Sequence, residues 1–192
     1  MTQRGTARAA ATLLLGIALL AGCSTEQQAS QTLPEPTTAE ATPTLTALGP
    51  PDFPMPAEAR EQTPEGAAAF TTYYIELYSR TQQTLDTQYM RALSAGCTSC
   101  DQLMSFMDGA VAQGQSLRGG ETEVIAMSDP AVNGATADVA FSVDQAPLDI
   151  VDSAGNVIDG MSYAGSNNPS SGAILAWDSA RSTWIMQQLD IG

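Results

Sequence analysis

Two cysteines separated by two residues, Cys97 and Cys100 in the stretch Cys-Thr-Ser-Cys, carry the most distinctive chemistry in this sequence. Such a pair can act as a redox centre, can supply two thiolates to a metal ion, or can close a short structural disulfide. The sequence has one other cysteine, Cys23, and no histidine. The choice among the three chemistries depends on the compartment in which the protein folds and on the elements that hold the pair.

The beginning of the chain predicts that compartment. Residues 1–8 contain two arginines and no acid, residues 9–20 are apolar, and two small residues lead to Cys23. A basic start, a short apolar run and small residues at the cleavage point are typical of a secretory signal peptide. The apolar run is too short to span a bilayer, which needs about 20 residues.

The ending Leu-Ala-Gly-Cys resembles the bacterial lipobox, whose cysteine receives a lipid and becomes the first residue of the mature protein. We therefore predict a signal peptide over residues 1–22 and lipidation, palmitate included, at Cys23. The lipid would hold the protein at the extracytoplasmic face of the cell membrane. An ordinary signal peptide that happens to end in cysteine is the alternative.

With Cys23 lipidated, Cys97 and Cys100 remain as an even pair in an oxidising compartment, which favours a structural disulfide between them. A thioredoxin-type motif follows a strand in a βαβ unit, whereas helices are predicted on both sides of this pair. A zinc site would need two more ligands, which carboxylates or a second chain would have to supply. Redox and metal chemistry remain the alternatives.

The net charge of the chain limits the classes of partner that it is expected to bind. Removal of residues 1–22 leaves five arginines against 21 acids, a formal charge of −16, and there is no lysine. A surface of this sign is repelled by nucleic acid and by anionic lipid head groups. We therefore expect no nucleic-acid partner, attachment to the membrane through the lipid anchor alone, and an unknown small molecule or envelope protein as the ligand.

Composition divides the rest of the chain in two. Residues 24–63 are rich in Thr, Pro, Ala, Gln and Glu, with Phe53 as their only aromatic residue. Such a segment cannot bury enough apolar area to offset its ordering entropy, so residues 23–63 are predicted to be a lipidated cysteine and a disordered tether. Residues 64–192 are predicted to be one domain. The stretch Pro50–Pro56 is a candidate for packing on that domain.

Three helices are predicted at the start of the domain. Thr63 is a good N-cap for the first, with a proline at the first helical position. A shorter helix is predicted within residues 85–96, ending at Gly96, and a third from Ser99 to Gln113 with Gly114 as its stop. The apolar residues that recur at helical spacing in the first helix are Phe70, Tyr74, Leu77 and Tyr78.

After the helices the apolar pattern changes to the alternation typical of antiparallel strands. In order, the sequence predicts a strand over 116–127 interrupted by Gly119-Gly120, a turn at Asn133-Gly134, an alternating strand over 137–143, two short strands around 153–155, a loop over 160–172, and a closing hairpin from 173 to 191. This order of elements predicts an α+β fold, with N-terminal helices packed on a curved antiparallel sheet.

The lipobox, the Pro/Thr-rich tether and the stretches TPEGAAAFTTYYIEL, ALSAGCTSC and LRGGE together resemble a family of actinobacterial membrane-anchored lipoproteins of unknown function. The order of helices and strands is similar to the nuclear transport factor 2-like cone, in which a sheet wraps around the first helix and often leaves a pocket at its open end. The resemblance implies a fold and a surface location. It implies no catalytic residue and no cofactor.

The absence of histidine and lysine removes the imidazole base and the Schiff-base amine from the possible chemistry. The alternative function is therefore an acid–base enzyme that uses carboxylates and tyrosines in the cone pocket. Residues 149–160 are acidic but lack the spacing of an EF-hand loop, so we predict no metal site. The available acid–base residues are Tyr73, Tyr74, Tyr78, Tyr163, Asp144 and Glu76, none of which we assign as catalytic.

The leading hypothesis is a non-enzymatic module of the cell envelope. A lipid anchor and a tether would present an acidic α+β domain that binds a small ligand or a protein. Trp177, Trp184 and the tyrosines are candidate contacts for that ligand, and they are equally suited to the core.

Overall fold

The structure, a computed structural model, describes residues 46–192. The predicted signal peptide, the predicted lipidation site Cys23 and the first part of the predicted tether lie outside the described residues. Within residues 46–192, none of the helices combines the length and the apolar character that a membrane span requires.

The described chain is a mixed α+β structure with antiparallel sheets, and its helices precede its strands. In chain order the elements are a 3-10 turn at Ala57–Arg60, α1 Pro64–Thr84, α2 Gln88–Ala92, α3 Thr98–Ala112, β1 Ser116–Gly119, β2 Thr122–Met127, β3 Ala131–Asn133, β4 Thr136–Gln145, β5 Leu148–Val151, β6 Val157–Tyr163, β7 Ser166–Asp178 and β8 Thr183–Asp190.

The helix α1 begins where its capping residues predict. The Thr63 hydroxyl accepts a hydrogen bond from the Gly66 N–H at 3.0 Å, and Pro64 occupies the first position, where no intrahelical N–H bond is lost. The helix ends at Thr84 because Leu85 adopts a left-handed conformation with φ 57°. Its buried face carries, among others, Phe70, Tyr73, Tyr74, Leu77 and Tyr78.

The second helix is shorter than predicted. It ends at Ala92 rather than at Gly96, because the chain leaves the helix to bond with β8. The Met186 N–H donates to the Leu93 carbonyl at 2.9 Å, and the Ala95 N–H donates to the Met186 carbonyl at 3.0 Å. These bonds cover the outer edge of β8. The predicted third helix is confirmed as α3.

The strands form two antiparallel sheets. One has the order β1-β5-β6, and the other has the order β2-β4-β7-β8 with β3 pairing to β4 beyond the end of β2. The prediction of one strand over 116–127 with a glycine interruption was wrong, because its two halves belong to different sheets. Gly119 and Gly120 both have left-handed φ values, 82° and 80°, and this turns the chain from one sheet into the other.

The loop predicted over 160–172 was also wrong, because β6 continues to Tyr163 and β7 starts at Ser166. Its glycine, serine and asparagine residues suggested a loop by composition. They lie in strands because main-chain pairing with β4, such as Asn167 opposite Asp144, does not depend on apolar side chains at a solvent-exposed position. The turn at Asn133-Gly134 and the closing hairpin of β7 and β8 are confirmed.

The main core lies between α1 and the five-stranded sheet. Trp184 on β8 is fully buried there, and its Nε1–H donates to the Glu61 carbonyl at 2.9 Å. Trp177 on β7 is half-buried and packs edge-on against Trp184, with 5.2 Å between the ring centroids. Both tryptophans therefore have structural contacts, and Trp184 is not available to a ligand.

The segment Pro50–Pro56, which we call the strap, packs against the domain as the sequence suggests. The Phe53 ring stacks on Tyr73 with centroids 5.1 Å apart, and Met55 is buried beside the Thr183 hydroxyl. The packed part of the chain therefore includes residues N-terminal to residue 64.

We expect Thr63→Ala to lower the free energy of unfolding by about 1 kcal/mol, because the Gly66 N–H would lose its capping acceptor. Urea unfolding followed by circular dichroism measures the change. Thr84→Ala, at the other end of α1, is the matched control. It should cost less, since alanine favours a helix more than threonine does. Equal losses in the two variants would contradict the capping role.

Candidate functional site

The cysteine pair lies at the joint between α2 and α3. The sulphur atoms of Cys97 and Cys100 are bonded as a disulfide, with the Cα atoms 5.2 Å apart, which fits the predicted pairing. Cys97 is also the N-cap of α3, and its Sγ accepts a hydrogen bond from the Cys100 N–H at 3.2 Å. Both residues are buried in the main core.

Ser99, between the two cysteines, connects the joint to the sheet. Between the cysteines, Ser99 donates its hydroxyl hydrogen to the Leu189 carbonyl of β8 at 2.6 Å. A redox-active cysteine pair must be reached by the thiol of a partner. Here Cys97 and Cys100 are 1% and 0% exposed, so the geometry fits a structural staple better than a site of thiol exchange.

Replacement of the two cysteines should destabilise the domain through two effects that can be measured separately, the loss of the disulfide and the loss of the N-cap of α3. We expect the variant C97S/C100A to lose about 2 kcal/mol of unfolding free energy, because the short loop is no longer closed in the unfolded chain. The variant C97A/C100A should lose about 1 kcal/mol more, because alanine cannot cap α3. Urea unfolding of both variants measures the difference, and equal stability would contradict the capping role of Cys97.

The tyrosines of α1 are structural. Tyr73 donates to the Phe53 carbonyl at 3.0 Å, the Tyr74 hydroxyl lies 2.6 Å from the Ser94 Oγ, and the Tyr78 hydroxyl accepts from Gln82 Nε2 at 3.1 Å. Burial raises the pKa of Tyr73 and of Tyr74 to about 12 and also raises the pKa of Tyr78. Each phenol is therefore held protonated and already has a partner within the protein.

The remaining acid–base residues do not converge on one site. Asp144 is exposed on β4 and accepts a hydrogen bond from Asn167 Nδ2 at 2.6 Å, while Tyr163 is exposed on β6 of the other sheet. Of the six acid–base residues, Tyr73 and Glu76 line one depression together, on the surface of α1. Because the Tyr73 hydroxyl is engaged with the strap, the pair has no free phenol.

We expect stability to fall as the pH rises from about 10 to about 12. The unfolded chain loses its phenol protons at the ordinary pKa near 10, whereas Tyr73 and Tyr74 keep theirs in the folded state until about pH 12. Urea unfolding at several pH values measures the decline, and tyrosinate absorbance follows ionisation. Tyr74→Phe should make the decline less steep, with Tyr163→Phe at an exposed ring as the matched control. A decline that Tyr74→Phe leaves unchanged would contradict this assignment.

The acids of residues 149–160 bond locally rather than facing a common centre. Asp149 accepts hydrogen bonds from Ser162 at 2.7 Å and Arg118 at 2.9 Å, which lower its pKa. Asp152 accepts from the main-chain N–H groups of Asn156 and Ala154, and these bonds lower its pKa. Across residues 46–192 there is no group of three or more acid or cysteine side chains placed to hold a metal ion.

The depression with the most varied chemistry runs between α1 and β2, and we call it the α1–β2 groove. Its volume is about 620 Å³. The helix contributes Thr72, Glu76, Ser79, Arg80 and Gln83, and the strand side contributes residues 121–124. A second depression of about 410 Å³ shares Phe53, Thr72 and Glu76 with it and continues along the strap.

The charges in the α1–β2 groove are mostly negative. Glu76, Glu121 and Glu123 are exposed carboxylates, and Arg80 is the single basic residue that lines it. Arg80 is already paired, since it forms a salt bridge with Asp52 of the strap, and its guanidinium carbon lies 5.9 Å from the centroid of the Phe53 ring. The groove therefore offers acceptors for hydrogen bonds and attracts positive charge.

The sequence did not predict this groove. From the sequence, Glu76 is a candidate only as an acid–base residue, and Phe53 falls within the predicted tether. The separation of Glu121 from Glu123 by one residue is the signal that was available, because alternate residues of a strand share a face. That signal could not be used without knowing that β2 is an edge strand beside α1.

Comparison with known proteins shows the family to which this chain belongs. A search of curated proteins gives no match. Among solved structures, the chain is similar to the intermembrane space region of the chloroplast protein ARC6, with a TM-score of 0.46 and 9% sequence identity, over 65% of this chain and 95% of that chain. The model of a family of unknown function, DUF6318, matches residues 25–190, and the chain therefore belongs to that family.

Proposed function

We propose that this protein is a non-catalytic binding module held at the extracytoplasmic face of the cell membrane by a lipid on Cys23. The basic start, the apolar run and the lipobox-like ending of residues 1–23 support the anchor. The composition of residues 24–45 supports a flexible tether between the anchor and the domain. The same order of features resembles that of actinobacterial lipoproteins.

The proposal includes the nuclear transport factor 2-like cone as the fold of the domain. Support comes from the order of elements, with three helices before eight strands, and from the packing of the long first helix on an antiparallel sheet. In such a cone, a binding pocket would lie between α1 and the sheet. The buried side chains of α1 are mostly apolar or phenols with partners, and Thr71, Thr81 and Gln82 are the buried polar residues among them.

One observation carries the choice of binding over catalysis. The groups that an acid–base mechanism would use are divided between buried phenols that already have partners and carboxylates that are exposed to water. A catalytic acid or base needs a perturbed group that can reach a substrate. The α1–β2 groove instead presents fixed charges on a surface, as a binding site does.

The anchor is tested by Cys23→Ala in the producing organism. The wild-type protein should remain with the membrane fraction, and the N-terminal peptide of its mature form should carry the mass of the acyl chains. The variant should lose that mass and leave the membrane fraction, since nothing else in the chain is proposed to hold it there.

Thr25→Ala is the matched control, because it changes a neighbouring residue and leaves the cysteine in place. This control should stay with the membranes. A Cys23→Ala variant that also stays with the membranes, or a wild-type protein without the added mass, would overturn the proposed anchor.

A further inference from the structure

The strand β2 lies at the edge of the five-stranded sheet, next to α1. The opposite edge strand, β8, is covered by the joint between α2 and α3, through hydrogen bonds of Leu93, Ala95 and Ser99. The outer side of β2 faces the α1–β2 groove. An edge strand presents main-chain N–H and C=O groups that a further strand can pair with.

The bonds of Ser79 show which main-chain groups of β2 point into the groove. The Thr122 N–H donates to the Ser79 Oγ at 2.8 Å, and the Ser79 hydroxyl donates to the Thr122 carbonyl at 3.0 Å. In an antiparallel strand, residues two apart direct their main-chain groups to the same side. The N–H and C=O groups of Val124 therefore point toward the groove as well.

Apart from its pairing with β4, the Val124 main chain has no hydrogen bond with another element in the part of the chain that the structure describes. Ser79 closes the edge at Thr122, and the register shifts between Val124 and Ala126, where the strand has a bulge. A short open stretch of edge is thus left beside Thr72 and Glu76 of α1. A peptide backbone placed in the groove can pair with this stretch.

The charge of the groove selects the side chains of that peptide. Glu76, Glu121 and Glu123 have one basic neighbour in the groove, Arg80, and Asp52 neutralises it. The five arginines of residues 46–192 all bond within the domain, four of them to aspartates and Arg60 to main-chain carbonyls. Lysine and arginine side chains of a partner would therefore meet carboxylates that have few competing cations.

The same charges exclude two other occupants. Residues 24–45 of this chain contain three acids and no basic residue, so the tether would be repelled from the groove. A second copy of the chain carries the same large negative charge and would be repelled as well.

We infer that the α1–β2 groove binds an extended basic segment of a partner protein, which adds as a strand at the edge of β2 and pairs its lysine or arginine side chains with Glu76, Glu121 and Glu123. This inference rests on the proposed function, since it names the class of partner that the module binds. The part of the groove along the strap, beside Phe53, receives the apolar side chains of the same segment.

The test uses two peptides of equal charge and the soluble form of the whole mature chain. One peptide alternates arginine with valine over eight residues, and the other alternates arginine with proline, which pairs poorly as a β-strand. Isothermal titration calorimetry at physiological salt should detect the valine peptide and show at least about tenfold weaker binding of the proline peptide. Equal affinities would overturn strand addition.

Two charge variants locate the site. E76Q/E121Q/E123Q removes the groove carboxylates, and D129N/D138N/D190N removes three carboxylates that line a depression on the opposite face of β4. The two variants have the same net charge. We expect the first to weaken binding of the valine peptide about tenfold and the second to change it less than about twofold. Equal weakening would show charge attraction without a site and would overturn the inference.

A third pair of variants tests the edge itself. Val124→Pro removes the N–H that points into the groove and leaves the bonds to β4, whereas Val124→Ala shortens the side chain and keeps that N–H. We expect the proline variant to bind about fivefold more weakly than the alanine variant, provided that circular dichroism shows both folded. Equal binding by the two would overturn the pairing with β2.

The last measurement separates this inference from the proposed function. A photo-cross-linking phenylalanine analogue replaces Thr72 in the groove or Ala140 on the opposite face, in the full membrane-anchored chain. A cross-link from position 72 that excess valine peptide suppresses supports the inference. A cross-link from position 140 alone overturns the inference and leaves the binding module intact. No cross-link from either position also overturns the inference, whereas the binding of a small molecule by the module would be unaffected.

Discussion

The packing of α1 against the five-stranded sheet is the constraint on which the other parts of the domain depend. The helix buries a face that is rich in aromatic residues, and the hydroxyl groups of that face reach out to neighbouring segments. Tyr73 bonds to the strap, Tyr74 to the joint after α2, and Ser79 to the main chain of β2. One helix therefore fixes the positions of three segments that are distant from one another in sequence, and two of them, the strap and β2, border the α1–β2 groove.

This arrangement explains why the buried phenols are not available for catalysis, whereas the exposed carboxylates are available for binding. The phenols that could act in acid–base catalysis form hydrogen bonds that connect elements of the fold. Freeing one of these hydroxyls would break a bond that stabilises the domain. The carboxylates are placed where water solvates them, which is the usual position for acids in a folded domain. Their concentration beside an open strand edge is what gives one part of the surface a definite preference for positive charge.

Much of the fold could be predicted because its signals are local. Thr63, Pro64 and the spacing of Phe70 and Tyr74 define α1 without reference to the rest of the chain, and the cysteine pair needs only its compartment. The errors concern non-local pairing. The sequence predicted Gly119-Gly120 to be an interruption within one strand. No local pattern of residues indicates that β1 and β2 belong to different sheets. The groove depends on Phe53, β2 and α1 together, and their proximity is a tertiary fact that residue types alone do not encode.

The engagement of every described arginine has a consequence for proteolysis. Trypsin-like proteases cut after lysine or arginine in segments that can be extended into their active sites. This chain has no lysine, and its arginines beyond residue 45 lie in a 3-10 turn, in α1, in α2, in β1 and in the tight turn before β8, each bonded within the domain. Cleavage at these arginines requires local unfolding. The half-life of the domain in the presence of such proteases therefore reports how readily these segments unfold, and not how many arginines the sequence contains. Reagents that label lysine amines likewise find no target within the folded domain.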